Sequence, residues 1–398
     1  MKNILFVSNS IVDRNSGGVN RVTDSLANGF LKRGYNVYYY TFSSTGDTDI
    51  SVKEIPQFYC KDSNDVAAET NRQHLQFLLN ELKIDIIINQ YGLNNKVVDF
   101  LSSLKAKNIF LISVHHNCIF CLYQNYRQIV TSNFQKRSWF RFIDNRLFWY
   151  IAKKNYLQRL RKEIRNTTGK SDRFVLLSER FKKDINLIGV KVTANTVAIK
   201  NPAPFEVQQG VLEKKENRLV FVGSVKITQK RVERLTTIWA ALSIKHPGWY
   251  LDIVGEGPER KNLESTFRSK GLERYFFHGN ADPRPFLEKA KFFLMTSDFE
   301  GFGMVLVESQ AYAVVPIAFD SFSVLHDIVK DGVDGIVVPA FDFDEYVNRL
   351  SELMSNEPKR NVLALNAQMA VEKYQLNNVI DEWQNLFKDL ELKKTNET

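Results

Sequence analysis

Two glutamates eight residues apart, Glu300 and Glu308, sit in the stretch Ser297-Asp298-Phe299-Glu300-Gly301-Phe302-Gly303-Met304-Val305-Leu306-Val307-Glu308-Ser309. The apolar run 292–296 before it reads as a strand, and 304–312 reads as a helix. Glu300 and the two glycines then fall on the loop feeding a helix N-terminus, with Glu308 about one turn inside the helix. Unpaired N–H groups at a helix start attract anions. Gly301 and Gly303 allow a ligand to approach that backbone closely. Two carboxylates beside an anion site suit a ligand carrying both phosphate and hydroxyls, such as a nucleotide-sugar. Glu300 is expected on a loop outside the core, so its replacement should affect chemistry more than stability.

The surrounding pattern is one of short apolar strands alternating with helical segments, as in parallel α/β sheets. Strands are expected at 4–8, 37–42, 84–89, 109–114, 173–177 and 192–198. Helices are expected at 20–32 and 65–82, with a longer helical excursion over 122–168. Asn201-Pro202-Ala203-Pro204 and the polar stretch 208–217 interrupt the alternation and read as a linker. A second alternation follows, with strands at 219–222, 250–254, 275–278, 292–296, 315–319 and 335–338, and the chain ends in a helix over 374–390. At 398 residues the chain suits two domains. The boundaries read as 1–203, 204–373 and a terminal helix in 374–398. Two such halves fit Rossmann-like domains, in which ligands bind beyond the carboxyl ends of the strands.

Hydrophobic content of 44% and charged content of 25% are ordinary for globular proteins. No apolar run is long enough to span a bilayer. The N-terminus reads as a first strand rather than a secretory signal, which leads to an expectation of a cytoplasmic protein. Cys60, Cys118 and Cys121 fit a reducing compartment and are expected as free, semi-buried thiols. Cys118-Ile119-Phe120-Cys121 has redox or zinc spacing, but there is no second pair, and a metal site with His115 or His116 is not favoured.

Charge divides unevenly. Residues 1–200 hold 30 Lys/Arg against 16 Asp/Glu, and 201–398 hold 24 against 29, so the balances are +14 and −5. Thirteen of the basic residues lie in 127–173, interleaved with Trp139, Phe140, Phe142, Phe148, Trp149, Tyr150 and Tyr156. This mixture suits weak contact with an anionic membrane surface, and in composition also suits RNA. A helical pair with a solvated basic face is the plainer alternative.

The stretch around Glu300 and Glu308 resembles the EX7E motif of the retaining glycosyltransferases of the GT-B fold, family 4, also called glycosyl transferases group 1. The resemblance extends over nearly the whole chain. It implies an α/β GT-B fold of two Rossmann-like domains facing across a cleft, with the C-terminal helix returning to the first domain. Gly17 and Gly18, in Ser16-Gly17-Gly18-Val19-Asn20-Arg21, match the family's glycine loop near the donor phosphates. They lack the G-x-G-x-x-G spacing of dinucleotide enzymes. His115, with His116 as fallback, matches a histidine that helps position the donor sugar. Phe221-Val222-Gly223-Ser224 and Gln229-Lys230-Arg231 match the phosphate clamp. Lys230 is kept, but Ser224 stands where the family usually has Arg, so Arg231 or Lys226 would have to supply that charge. Gly255 and His278 lie in segments that reach the nucleotide in relatives. Glu308 would bind ribose hydroxyls and Glu300 the donor-sugar hydroxyls. Gly301, Phe302, Gly303 and Met304, together with Lys230, would hold the diphosphate.

The resemblance therefore implies an enzyme that transfers a sugar from a nucleotide-diphosphate sugar, UDP favoured, to a glycan or lipid-linked glycan in bacterial surface-polysaccharide synthesis. Glu300, His115 and Lys230 would form its catalytic centre. No cofactor, essential metal or nucleic acid is expected. Asp342-Phe343-Asp344 reads as a helix cap rather than a manganese site. The expected location is cytoplasmic, with peripheral contact at the inner face of the plasma membrane. The competing readings are a non-catalytic GT-B binding or scaffold subunit, favoured by Ser224, and a GT-B phosphorylase or epimerase, for which no pyridoxal signal is present.

Overall fold

The computed structural model describes residues 2–13, 17–43, 55–134 and 145–397. Ser16 of the glycine loop, and Trp139, Phe140 and Phe142 of the basic segment, lie outside the described residues. The chain divides into two compact units. One comprises residues 1–120, 145–204 and 376–398, and the other residues 121–144 and 205–375.

The first unit is built on a seven-stranded parallel sheet of β1 (Asn3–Ser8), β2 (Asn36–Thr41), β3 (Gln57–Tyr59), β4 (Ile86–Asn89), β5 (Phe110–His115), β6 (Arg173–Leu176) and β7 (Thr196–Ala198). Their spatial order is β3-β2-β1-β4-β5-β6-β7. β4 and β6 are buried along their whole length, as strands covered on both faces must be, and for that reason they are apolar except at Asn89 and Arg173. The edge strand β3 is only three residues long and half-buried, too short to give a periodic signal. The strand expected over 192–198 is shorter than expected, only its last three residues pairing as β7.

The C-terminal helix Leu376–Glu397 belongs to this unit. Phe387 packs on Phe30 of the helix Gly18–Lys32 with ring centroids 5.5 Å apart, and Trp383 meets the same ring edge-on. Arg33 pairs with Asp381 at 2.9 Å beside them.

The second unit is built on a six-stranded parallel sheet of β8 (Arg218–Val222), β9 (Tyr250–Val254), β10 (Tyr275–Gly279), β11 (Phe292–Met295), β12 (Val315–Phe319) and β13 (Ile336–Val338), in the order β10-β9-β8-β11-β12-β13. Trp239, Phe221, Phe267 and Tyr346 are among the large side chains fully buried around it. The polar stretch after Pro204 is packed onto this unit, with Gln208 N donating to Ala311 O and Glu216 N to Lys289 O. Asp342 caps the helix Phe343–Ser355 by accepting from Glu345 N at 3.0 Å, as its sequence position suggests. The long helical excursion resolves into the helices Ile119–Gln124, Tyr126–Phe134 and Arg146–Lys170.

The expectation of three free thiols is corrected. Cys60 is free and buried, but Cys118 and Cys121 are disulfide-bonded. Three-residue spacing at the entry to the helix Ile119–Gln124 brings the two sulfurs within bonding reach. Among the described residues no group of three or more His, Cys, Asp or Glu side chains is placed to hold a metal ion, and no helix is long and apolar enough to cross a membrane.

Candidate functional site

Both sheets change winding direction once, between β1 and β4 in the first unit and between β8 and β11 in the second. At such a point the loops leaving two adjacent parallel strands turn opposite ways and open a crevice at their carboxyl ends. Most of the residues singled out in the sequence lie on these loops.

In the second unit, the loop after β8 carries Gly223, Ser224, Gln229, Lys230 and Arg231, and the loop after β11 carries Thr296 to Gly303. Lys230 Nζ donates to Glu300 Oε1 at 2.7 Å. Ser297 Oγ donates to the same oxygen at 2.6 Å, and Gln229 Nε2 lies 3.3 Å from Glu300 Oε2. The two loops are also joined through their backbones, Asp298 N donating to Gln229 O and Thr296 Oγ1 to Lys230 O. Glu300 is only 6% exposed. The expectation that it stands on an open loop is therefore corrected, because its carboxylate is folded inward onto Lys230.

Beside this group is a second charged cluster. Asp298 pairs with Arg234 Nη2 at 2.5 Å and with Arg231 Nη1 at 3.4 Å, and accepts from Gln128 Nε2 at 2.7 Å. The Arg234 guanidinium lies over the Phe341 ring, 4.3 Å from its centroid. The charge of Arg231 is thus turned toward Glu233 and Asp298, whereas Lys226 is exposed. Gln128 Nε2 also lies 2.9 Å from Thr228 O. A cavity of about 530 Å³ opens there, lined by Gln128, Thr228, Arg231 and Glu259 among others.

Gly303 caps the helix Met304–Ala311 in the left-handed region, at φ 86°, where a side chain would be strained. Gly301 and Phe302 precede it, and Phe302 is buried edge-on against Tyr374. Glu308 is buried on the same helix, 2% exposed. Gly255 N donates to Gly279 O just beyond β9. His278 is held by Asp252 at 2.7 Å, and Asp252 is itself buried and paired with Arg218. Its imidazole is thus committed at the sheet edge and is not among the groups gathered around Glu300.

In the first unit, the loop after β1 leads to Gly17 and Gly18 at the start of the helix Gly18–Lys32. Asn20 Nδ2 ties this turn back to Ser10 Oγ and Ile11 O, both at 3.1 Å. The loop after β4 carries Gln90, Tyr91 and Gly92. A Cβ on Gly92 would lie 2.4 Å from Val114 O, so only glycine lets this loop run against the end of β5. That close approach brings Gln90 to the histidine pair. His116 Nε2 and Gln90 Oε1 are 2.5 Å apart.

His115 and His116 are both desolvated. Burial lowers His115 to about 4, and burial together with the neighbouring His115 lowers His116 to about 3. Both imidazoles are neutral near pH 7. A cavity of about 640 Å³ is lined by Gln90, His115, His116, Lys96, Arg159 and Glu163 among others. A second, of about 370 Å³, shares Gln90 and Tyr91 with it and extends to Gly17 and Gly18. Gln229 lies in the segment already matched to the phosphate clamp, but Gln90 carries no motif signature. Its only sequence signal is position, just after β4, one of the strands that flank the change of winding.

The sequence matches known families along most of its length. Residues 16–202 match Glycosyltransferase Family 4, and residues 203–369 match Glycosyl transferases group 1. An uncharacterized glycosyltransferase of Haemophilus influenzae is 23% identical over 93% of this chain and 96% of that protein. A Campylobacter jejuni alpha-1,4-N-acetyl-D-galactosaminyltransferase, which acts on a GalNAc-containing undecaprenol diphosphate, is also 23% identical, over 96% of this chain and 98% of its own. Among solved structures, Anabaena HepE in complex with UDP and glucose superposes with a TM-score of 0.72 at 16% identity, covering 98% of this chain and 100% of that one. With its two parallel sheets and both family matches in sequence order, this chain belongs to the GT-B glycosyltransferases of family 4, the glycosyl transferases group 1.

Proposed function

We propose that the protein transfers a sugar, with retention of anomeric configuration, from a nucleotide-diphosphate sugar to a glycan or lipid-linked glycan during bacterial surface-polysaccharide synthesis. The observation that carries this reading is the Lys230–Glu300 pair, its carboxylate buried, on the loops that follow β8 and β11, joined by the second loop to the Gly303-capped helix. Lys230 has three N–H groups and gives one to Glu300, so others are available for phosphate. Its positive charge and the helix N-terminus then stabilise the negative charge that develops on the departing diphosphate. Glu300, oriented by Lys230 and Ser297, accepts from donor-sugar hydroxyls. Glu308 serves the ribose hydroxyls, and His115, as a neutral imidazole, positions the sugar. The acceptor attacks on the face from which the diphosphate leaves, through an oxocarbenium-like state, and a phosphate oxygen takes the acceptor proton. This route requires no protein nucleophile.

UDP is the favoured nucleotide because the similar HepE structure holds it. A lipid-linked acceptor is favoured by the undecaprenol-linked substrate of the Campylobacter relative. The helix Arg146–Lys170 agrees with work at a membrane surface. It exposes Leu147, Tyr150 and Ile151 near Arg146, Lys153 and Lys154. Each basic residue near an anionic surface contributes about 1 kcal/mol, weakened by salt.

The test is a thermal-shift panel of UDP, GDP, ADP and their sugars, followed by transfer assays with and without EDTA, since Lys230 and the helix N-terminus perform a cation's task. UDP and a UDP-sugar are expected to raise the melting temperature, and transfer is expected to persist in EDTA. No shift with any nucleotide would favour the scaffold reading. Abolition by EDTA with rescue by manganese would contradict the mechanism.

A further inference from the structure

We propose that Gln90, held in place by His116, is a specificity-determining residue of the first unit, and that its side-chain amide donates to an oxygen of an uncharged sugar. The inference rests on the glycosyltransferase reading and names the substrate class that the first unit accepts.

Gln90 is 8% exposed, and it lines both cavities of this unit. Its Oε1 is occupied by His116 Nε2. Among the described residues its Nε2, His116 Nδ1 and His115 Nε2 are buried without a hydrogen-bond partner. A buried polar group left unpaired costs about 1–3 kcal/mol, so three together point to a ligand that completes them.

The order of donors and acceptors follows from the neutral imidazole. With Gln90 Oε1 facing it, His116 Nε2 carries the ring's single proton and Nδ1 is a bare acceptor. The Gln90 amide N–H group is the donor. One free donor and one free acceptor in the same cluster suit a sugar, whose hydroxyls both accept and donate. A carboxylate or phosphate would meet the lone pair of Nδ1 with no proton to offer it, and no cation stands among these three groups. The charged groups of the larger cavity are Lys96 and Arg159, both exposed, and Glu163, which lies 3.6 Å from Arg159 Nε.

The test uses the full chain and saturation-transfer NMR titrations with methyl α-glucoside, methyl α-galactoside, N-acetylglucosamine and glucuronate. Calorimetry with UDP and with UDP-glucose runs in parallel. The variants are Gln90→Leu and the near-isosteric Gln90→Glu, which keeps the shape and removes the N–H donor. At least one neutral sugar should bind the wild type in preference to glucuronate. Both variants should weaken it about tenfold, the equivalent of one hydrogen bond, with UDP affinity unchanged. If the loss appears with free glycosides alone, the oxygen belongs to the acceptor. If it appears with UDP-glucose alone, it belongs to the donor sugar. Preference for glucuronate, or neutral-sugar and UDP-glucose binding that both variants leave unchanged, would overturn the proposal. The absence of neutral-sugar binding to wild type would also overturn it. Failure of UDP to bind the wild type is the separate result that would count against the glycosyltransferase reading itself.

Discussion

The crevice of the first unit and that of the second occupy the same topological position and are built from opposite materials. At β8 and β11 the polar groups are charged and paired with one another, Asp298 Oδ1 and Arg231 Nε through ion pairs rather than well-formed hydrogen bonds. Lys230, Ser297 and Gln229 converge on Glu300, and Arg231, Arg234 and Gln128 on Asp298. At β1 and β4 the buried groups beside the crevice are neutral, and three of their polar atoms have no partner among the described residues. Removing one member of a paired charged cluster strands its partner, so stability and function fall together. Removing a member of the neutral cluster gives up, in the free protein, no more than the hydrogen bond between Gln90 and His116. The second unit's charged groups are thus paired in the free chain, whereas three polar atoms of the first unit are left for the proposed sugar to complete.

The largest effect expected from this contrast is at Glu300. Glu300→Gln should lower turnover by about 100-fold or more, as removal of one electrostatic contact at a reacting centre does. It should also destabilise the fold by about 1–3 kcal/mol, because Lys230 loses its charged partner in a buried setting. Turnover and melting temperature measured on the same preparation check both. Turnover close to wild type would remove Glu300 from the chemistry, and an unchanged melting temperature would show the pair to be energetically idle.

A comparable but pH-dependent effect is expected in the first unit. His115 titrates at about 4 and His116 at about 3 in the native chain, below the free-imidazole value of 6.5, both held down by burial. As pH falls below 6.5 the unfolded chain gains protons that the native chain refuses. Stability is therefore full above 6.5 and is lost as pH falls toward 4 and then 3, on the order of 3 kcal/mol for His115 alone. Melting temperature followed from pH 7 to pH 4 should fall less steeply in a His115→Gln, His116→Gln double variant. Parallel curves for the two proteins would place the acid sensitivity elsewhere.

The smallest expected effect is at Gln90. Gln90→Leu should lower the melting temperature only slightly, because the hydrogen bond lost to His116 Nε2 is offset by removal of the unpaired amide nitrogen. A loss as large as that at Glu300 would mean that the first unit's cluster is structural, and the contrast would collapse.

The parts of this arrangement that the sequence made legible are those with strong local signals. Glu300 and the glycines announced a strand, a loop and a helix start, and the structure has β11 followed by the helix Met304–Ala311. The two alternations announced two parallel sheets. Burial of Glu300 was not legible, because the neighbours that enclose it, Gln229 and Lys230, come from a loop some 70 residues earlier. The pairing of Arg231 and Arg234 with Asp298 was hidden for the same reason. Gln90 was missed because a glutamine after a strand is chemically anonymous until Gly92 is seen to bring it against β5. The disulfide-bonded Cys118 and Cys121 were expected as free thiols from compartment reasoning, which says nothing about how closely a helix entry brings two sulfurs together.

The most direct test of the paired charged site is a calorimetric titration of UDP and of uridine into wild type and Lys230→Ala. If Lys230 holds the diphosphate, UDP should lose about 1.5–3 kcal/mol of affinity, roughly ten- to a hundredfold, while uridine is little affected. Equal losses for the two ligands, or undiminished UDP affinity, would contradict the account.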